Sequence, residues 1–453
     1  KTIMDWIREW TQFLFPFLVS SSNLYSFEIK KFSDWYSFWN YKIKKFILNY
    51  NYYIMLFSPN KNIKIVLAGG GSGGHVFPII SVCEALNKYI PEFERQGLSV
   101  ELIYFGANDF TLDYVKNKNI SIKVISCGKG IGDFWKTIIG FFQAFWNLFI
   151  VMPDAIFGKG GFATVPTLSI GVLFRIPIFI HESDSIPGKV NQFFGRFAKG
   201  IFISFEKSAD YFAQKDKLIL SGNPIRDFLN IPDSELEKID KNQTKKLLGL
   251  QTKKPVLLVL GGSQGAQTLN DLILDGLSQF LEYFEVIHQT GQNNIEQVKR
   301  EVDVIFREYN INQNLKPFYH PVGFLQESQV PSINSLKDCL IASDIVVARS
   351  GSGSIFEIAA FGKPSVLIPL PWASADHQTV NAFAYASSQS SPRAIVLEQE
   401  NLKPNLLCNT LKNLVSDKQK LKEMSQNALK FAKKDASLSI ARVVLQYIID
   451  AYQ

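Results

Sequence analysis

Much of what would mark this chain for export, metal binding or membrane spanning is missing from it. Its 453 residues carry four cysteines, Cys83, Cys127, Cys339 and Cys408, far apart and with no CxxC pair. A disulfide scaffold is thereby excluded and a zinc site opposed. The expectation is a reducing cytosol, with no secretory signal. No Asp-x-Asp pair occurs, and no Lys-Ser or Lys-Thr follows any glycine loop, which excludes a Walker A site. No block of lysine and arginine stands out, so the net charge of +7 points to a nucleotide, a phosphate or an acidic lipid and not to nucleic acid. Apolar residues make up 46 % and charged residues 20 %. That balance excludes disorder, collagen and coiled coil as the main class.

What is present is unevenly spread. Residues 1–57 hold 18 aromatic residues and four of the seven tryptophans. Charges such as Asp5, Arg8, Glu28, Lys30, Lys31 and Asp34 break any clean span there. We expect residues 1–54 to be an extension, either a poorly ordered tail or an interfacial aromatic anchor.

From Asn62 onward, short β-branched runs alternate with helical periodicity. Ile63–Ala68, Ser99–Phe105, Ile122–Ser126, Ala155–Phe157, Ile176–Ile180 and Gly200–Ile203 read as strands, and a helix is expected from about Val76 to Tyr89. After a charged stretch, Asp233–Lys246, the pattern restarts with strands at Pro255–Leu260, Glu285–Gln289, Ile345–Ala348 and Ser365–Ile368. Such alternation means βαβ units and parallel sheets, here in two α/β halves. Lys418–Gln453 reads as helical, with apolar residues at helical spacing.

Each half opens with a glycine loop between strand and helix, Gly69–Gly74 and Gly261–Gly265, and a third such loop is Ser350–Ser354. Such a loop aims free backbone N–H groups at the positive end of a helix, which makes an anion site. Gly69, Gly71 and Gly74 also satisfy GxGxxG, but the acid a dinucleotide site needs is not evident. Both loops satisfy GxSxG as well, yet a hydrolase needs one nucleophile elbow, not one per half.

A set of motifs in a fixed order then identifies a family. Gly70–His75 with Pro78, Gly158–Gly161 with Pro166, and His181-Glu182 with Pro187, Gly188 and Asn191 open it. Gly222–Arg226, Gly261–Ala266 with Asn270, Arg349–Gly351 with Glu357, and His377-Gln378 with Asn381 complete it. The set resembles the undecaprenyldiphospho-muramoylpentapeptide β-N-acetylglucosaminyltransferases of peptidoglycan synthesis, from about Lys64 to about Asp435. The resemblance implies an α/β GT-B fold, two Rossmann-like domains with parallel sheets facing across a cleft. It also implies an inverting transfer of N-acetylglucosamine from UDP-GlcNAc to the C4 hydroxyl of the muramoyl sugar of lipid I, forming lipid II, with no cofactor or metal.

On the donor side the resemblance assigns Ser263, Ser352, Gly353, Ser354 and Arg226 to the diphosphate, and Glu357 to the ribose. It assigns the backbone of Leu325 to uracil, His377 and Gln378 to the sugar hydroxyls, and Asn270 to the same binding set. On the acceptor side Ser72, Gly73 and Gly74 are expected to cradle a diphosphate or the incoming sugar. His75 is the candidate general base, since a histidine suits proton abstraction near neutrality. Glu182 is the runner-up, and His288 and His320 read as structural. One departure is plain: Asp184, in the substrate-binding set, stands where the family usually has an Asn in contact with the sugar, and the acid loses a donor and adds charge beside a diphosphate.

Phe134–Met152 is apolar nearly all round but interrupted by Lys136, Gln143 and Asn147, a poor spanning helix. Phe134, Trp135, Ile138, Phe142, Phe145 and Trp146 are the candidates for a membrane-dipping face, on an anionic leaflet and with Lys129 and Lys136 nearby. The expected organisation is an extension over 1–60, an acceptor and membrane domain over 61–227, and a donor domain over 228–417. Helices over 418–453 are expected to pack back on the first domain. The expected location is peripheral, on the cytoplasmic face of the cell membrane, with UDP-GlcNAc, lipid I and cell-wall synthesis proteins as partners. The alternatives are another UDP-sugar enzyme of the same fold, such as a glycolipid synthase or nucleotide-sugar epimerase, and a catalytically inactive cell-wall scaffold.

Overall fold

Apolar runs with no polar alternation must be covered on both faces, and parallel sheets flanked by helices provide that cover. The computed structural model describes residues 61–452, except 72, 96, 109–111, 117, 119, 129–133, 252, 263–264, 310, 372–375 and 387–391. The expected extension over residues 1–60 lies outside the described residues. One sheet contains β1 (Lys61–Gly69), β2 (Leu98–Gly106), β3 (Ser121–Val124), β4 (Ala155–Gly158), β5 (Ile178–Glu182), β6 (Gly200–Ile203) and β7 (Leu218–Leu220). The other contains β8 (Val256–Leu260), β9 (Glu285–Gln289), β10 (Tyr319–Val322), β11 (Ile345–Ala348), β12 (Ser365–Leu367) and β13 (Ala394–Val396).

The strand orders are β3-β2-β1-β4-β5-β6-β7 and β10-β9-β8-β11-β12-β13. Apart from β7 they are the same order, so the echo between the two glycine loops reflects a repeated topology. β4 pairs in parallel with both β1 and β5, and β11 with both β8 and β12. The order therefore reverses between β1 and β4 in one sheet and between β8 and β11 in the other. Crevices open at such switch points, outside the carboxyl ends of the strands.

The helices that matter for the site begin there. They are α1 (Gly73–Arg95), α2 (Phe134–Val151), α3 (Val165–Leu173), α4 (Gln267–Asp275), α5 (Ile295–Glu308), α6 (Ser352–Ala360) and α7 (His377–Ala386). α1, α4 and α6 follow β1, β8 and β11, each across a glycine loop. α1 starts at the glycines and runs through Pro78 and Pro91, longer than the Val76–Tyr89 expected from periodicity. β5 is shifted two residues past the expected Ile176–Ile180, which brings His181 and Glu182 to the crevice end. Three short strands, β7, β10 and β13, have no counterpart in the sequence pattern. All three carry half-exposed residues, and β10 contains Pro321, which an edge strand tolerates.

The C-terminal helices divide between the halves. α8 (Lys418–Phe431) contributes Met424, Ala428 and Phe431 to the cores around the second sheet. α9 (Ala436–Asp450) sends Ile440, Ala441, Val444, Leu445 and Ile448 into the core of the first sheet, against α1. Ile440 is fully buried there. Ile440→Ala should cost about 2–5 kcal/mol, the range for a truncated core aliphatic. Denaturant unfolding measures it, and a loss below about 1 kcal/mol would mean that α9 is not part of that core.

Candidate active site

The carboxyl ends of β1, β4 and β5 bring the first-half motifs together. Gly70 and Gly71 have φ values of +134° and +92°, so only glycine turns the chain there without strain. Gly73 is buried at the start of α1, Gly74 is exposed, and His75 lies one residue further on. Gly161, in the loop after β4, faces the same ring: a Cβ there would lie 3.3 Å from His75 Nε2, at a φ of +79°. His75 keeps some surface at its rim but is enclosed by protein. Burial, with help from Lys159 and His377 and against Asp184, holds its pKa down to about 4. It is therefore neutral at pH 7 and able to accept a proton.

Glu182, the runner-up base, is spoken for. Its carboxylate accepts from the backbone N–H of Asp184 at 2.9 Å and of Gly188 at 3.0 Å, and from Asn191 Nδ2 at 2.9 Å. Burial above all pushes its pKa up, and Lys159 opposes that. Glu182 shapes the 184–188 turn. His181, fully buried beside it, bonds through Nε2 to the carbonyl of Gly222. Lys159, between the two glycines of its loop, is 1 % exposed and close enough to Glu182 and Asp184 for both carboxylates to support its charge. The motif that contains Lys159 assigns it no role. Its one signal in the sequence is a single cation at the end of a buried strand.

Asp184 does not hang free in the crevice. Its Oδ1 accepts from Asn381 Nδ2 at 2.7 Å, and Asn381 Oδ1 accepts from the Ser185 N–H at 2.7 Å. Asn381, fully buried on α7, belongs to the other half. His377 and Gln378 occupy the first turn of the same helix. Gln378 is set by two bonds: the Ser350 hydroxyl donates to its carbonyl at 2.8 Å, and its Oε1 accepts from the Leu370 N–H at 3.0 Å. Arg349 braces this region, donating to the carbonyls of Ile368 and Pro369.

Arg226 and Glu357 are expected at separate parts of the donor, the diphosphate and the ribose. They are paired with each other, Nε to Oε1 at 2.8 Å and Nη2 to Oε2 at 3.0 Å, with side chains about 15 % exposed. The guanidinium also lies 5.3 Å from the Phe77 ring centre and 5.2 Å from that of Phe228. Ser352, Gly353 and Ser354 form the first turn of α6, behind Gly351 as its N-cap. Leu325 has a buried side chain in the loop after β10. Its neighbours Phe324 and Gln326 line a cleft of about 950 Å³ that also touches Gly73, Phe77 and Tyr114 of the first half.

Asn270 is removed from the expected binding set by its own bonds. It is fully buried, donates to the Thr290 carbonyl at 2.9 Å and contacts His288 Nε2 at 3.1 Å. His288, whose pKa is driven by burial to about 3, contacts the Tyr319 hydroxyl on its other side at 2.8 Å. This network supports the glycine loop after β8. His320 pairs with the buried Glu285 at 2.8 Å, also a structural contact. Ser72 and Ser263 lie outside the described residues. Among the described residues no cluster of His, Cys, Asp and Glu could hold a metal ion.

The expected membrane helix is sorted by its environment. On α2, Trp135, Ile139, Phe142, Trp146, Phe149 and Ile150 are exposed, Trp135 to 72 % and Trp146 to 62 %. Ala144 and Leu148 are buried on its inner side. Two of the six candidates do not share the outer stripe: Ile138 is half-buried, and Phe145 is half-buried with its ring edge-on to Phe174 at 5.1 Å. The side chain of Phe134, and Lys129, lie outside the described residues. Among the described residues no helix is long and apolar enough to cross a membrane.

Comparison with known proteins shows the family and the fold. The N-terminal domain of glycosyltransferase family 28 matches residues 65–203, and the C-terminal domain of that family matches residues 256–440. A protein of Thermoanaerobacter sp. (strain X514) is 30 % identical over 391 residues, 84 % of this chain and 99 % of its own. It is named a UDP-N-acetylglucosamine–N-acetylmuramyl-(pentapeptide) pyrophosphoryl-undecaprenol N-acetylglucosamine transferase. A protein of the same name from Clostridium tetani is 31 % identical over 81 % of this chain and 94 % of its own. Among solved structures, MurG of Acinetobacter baumannii covers 85 % of this chain and 99 % of its own, with a TM-score of 0.60 and 23 % identity. A UDP-GlcNAc 2-epimerase of Neisseria meningitidis covers 85 % of this chain and 100 % of its own, with a TM-score of 0.59 and 14 % identity. At those identities both structures speak for the GT-B fold alone. The chain belongs to glycosyltransferase family 28, among its pyrophosphoryl-undecaprenol N-acetylglucosamine transferases.

Proposed function

We infer that this chain moves N-acetylglucosamine from UDP-GlcNAc to the C4 hydroxyl of the muramoyl sugar of lipid I, forming lipid II with inversion at the anomeric carbon. The observation that carries this reading is family membership over nearly the whole described chain, with the motifs gathered at the switch points of both sheets. We assign acceptor binding to residues 61–227 and donor binding to residues 228–417.

The leaving group is a diphosphate that gains charge as the glycosidic bond breaks. Backbone donors at the N-terminus of α6 and the Arg226 guanidinium can stabilise that charge without a proton transfer. Glu357, already held by Arg226, is oriented to accept from the two ribose hydroxyls. The uracil is read by the backbone of Leu325, and Gln378 and His377 address the sugar. On the other side, neutral His75 takes the proton of the acceptor hydroxyl as the new bond forms. The resulting imidazolium is favoured by the charge of Asp184. The inactive-scaffold alternative rests on Asp184, and a bonded Asp184 gives it no support.

Lipid I cannot leave the membrane, so the first half must meet a lipid surface. The outer stripe of α2, with its tryptophans and phenylalanines, suits the headgroup layer of an anionic leaflet on the cytoplasmic face. Cell-wall synthesis proteins are the natural neighbours at that site.

Transfer of labelled N-acetylglucosamine from UDP-GlcNAc to a lipid I analogue by the purified chain tests the reaction itself. Glu357→Ala should weaken UDP binding by about 1–3 kcal/mol, the cost of leaving polar partners unpaired. Calorimetry giving unchanged affinity would reduce the Arg226–Glu357 pair to a structural clamp. His75→Ala should lower kcat by about 10²–10⁴-fold with UDP affinity nearly unchanged. A base must be unprotonated, so the wild-type rate should hold below neutrality and fall only as pH approaches about 4. An acid limb near the ordinary histidine value would move the role elsewhere. At the membrane, Trp146→Ser should keep its Tm and lose vesicle co-sedimentation, whereas Phe145→Ser should lower Tm. Normal vesicle binding by Trp146→Ser and Phe142→Ser together would sink the outer stripe as the docking face.

A further inference from the structure

We propose that Asp184 and Asn381 form a bridge between the two halves that fixes the distance between the acceptor's hydroxyl and the donor's sugar, making both of them positioning residues of the transfer. The proposal rests on the functional reading above but concerns a contact assigned no role there.

The bridge has two bonds made by one fully buried side chain. Asn381 Nδ2 donates to the Asp184 carboxylate at 2.7 Å, and Asn381 Oδ1 accepts from the Ser185 N–H at 2.7 Å. Asn381 Nδ2 also reaches the Ser350 carbonyl at 3.5 Å. Ser185 and Asn381 are fully buried, so solvent does not compete for these groups. On the acceptor side, Asp184 is two residues beyond Glu182, which ties down the turn through the Asp184 and Gly188 N–H groups. On the donor side, Asn381 is one helical turn from His377 and three residues from Gln378, whose carbonyl accepts from Ser350. The chain of contacts therefore runs from the strand end beside His75, through Asp184 and Asn381, to the helix that addresses the sugar.

The acid at 184 suits this task better than an amide would. A carboxylate accepts a charge-assisted bond from the Asn381 amide, which is shorter and stronger than a neutral one. Its charge beside the buried Glu182 is offset by Lys159, which lies near both carboxylates. In-line transfer tolerates little misplacement, and a shift of about 1 Å from a distant change costs on the order of 10²-fold in rate.

Four proteins test the bridge: the wild type, Asp184→Asn, Asn381→Asp, and the double exchange. Each is measured for kcat on a soluble lipid I analogue, UDP affinity by calorimetry, Tm, and radius of gyration by small-angle scattering without ligand. Asp184→Asn can turn its amide oxygen to Asn381, so it should keep the wild-type radius of gyration, while losing the charge that favours the His75 imidazolium should lower kcat by about tenfold. Asn381→Asp sets two carboxylates face to face. It should lose about 100-fold in kcat, with UDP affinity within about threefold and a larger radius of gyration. The double exchange restores an amide donor opposite a carboxylate, and the carboxylate introduced at position 381 can still accept from the Ser185 N–H. It should recover the rate of Asp184→Asn and the wild-type radius of gyration. An Asn381→Asp protein as fast as the wild type would overturn the proposal. So would a double exchange no better than the single change in rate and radius, or losses in Tm and UDP affinity that the exchange does not repair. If the wild type transfers no sugar at all, the functional reading fails, and the scattering series alone decides whether the bridge holds the halves.

Discussion

The bidentate pair of Arg226 with Glu357 is the contact around which the cleft is organised. Arg226 belongs to the segment joining the halves, Glu357 to α6 of the second half, and the guanidinium rests against Phe77 of α1 in the first. Taking two charges partly out of water is costly, and such a pair returns the cost only with good geometry and satisfied partners. The fork-on-fork arrangement supplies that geometry. It also holds both side chains in one fixed orientation. Neither side chain must be immobilised when a ligand arrives beside it. That reduces the entropy lost on binding.

Much of the architecture is legible in the sequence because its signals are local. A buried strand ending in glycines before a helix can be read from a dozen residues, as at Val66–Gly74 and Val259–Gly265. The strands that escape are short edge strands with half-exposed residues, whereas the equally short β12 shows as a fully buried run, and β10 also hides behind Pro321. Helix α1 reads short because glycine at its start and prolines within it look like breakers, although a buried face carries the helix through them. Residue types at the site are legible in the same way. The pairings are not, because they depend on which residues meet across 100 or more positions. Arg226 with Glu357 and Asp184 with Asn381 are contacts of this kind. Asn270 misleads for the same reason: its sequence neighbours place it behind a phosphate loop, and only the fold turns it inward to His288.

Helix α2 shows how composition alone misleads about burial. Its apolar residues surround it almost completely, so a hydropathy pattern cannot say which are core. The answer lies in one glycine. A Cβ at Gly140 would fall 1.9 Å from the Ser126 carbonyl and 3.3 Å from Pro166 at the head of α3, so the backbone of the helix lies against its support at that point. That contact fixes its rotation. Gln143 follows on the same side and accepts from the Ser126 N–H at 2.7 Å, which accounts for a polar residue in an apolar helix. With the rotation set, Trp135, Phe142 and Trp146 have to face outward. An outward stripe of several large apolar side chains is the kind of feature that the membrane reading of this helix rests on.

The first-half crevice raises a different problem, since Glu182, Lys159 and Asp184 are charged groups placed close together and largely out of solvent. Such groups survive burial only when paired or hydrogen-bonded. Glu182 solves this with three N–H donors, and Asp184 with an amide from the opposite half. Lys159 is supported by the two carboxylates, while burial lowers its pKa. The arrangement accounts for the departure at 184. An acid at that position would repel Glu182 and any phosphate nearby if it stood alone. Beside Lys159 its charge is partly offset, and it favours the protonated form of His75. The acid at 184 is therefore tolerable in so enclosed a place because a lysine stands at the end of the neighbouring strand and an amide reaches across from the other half.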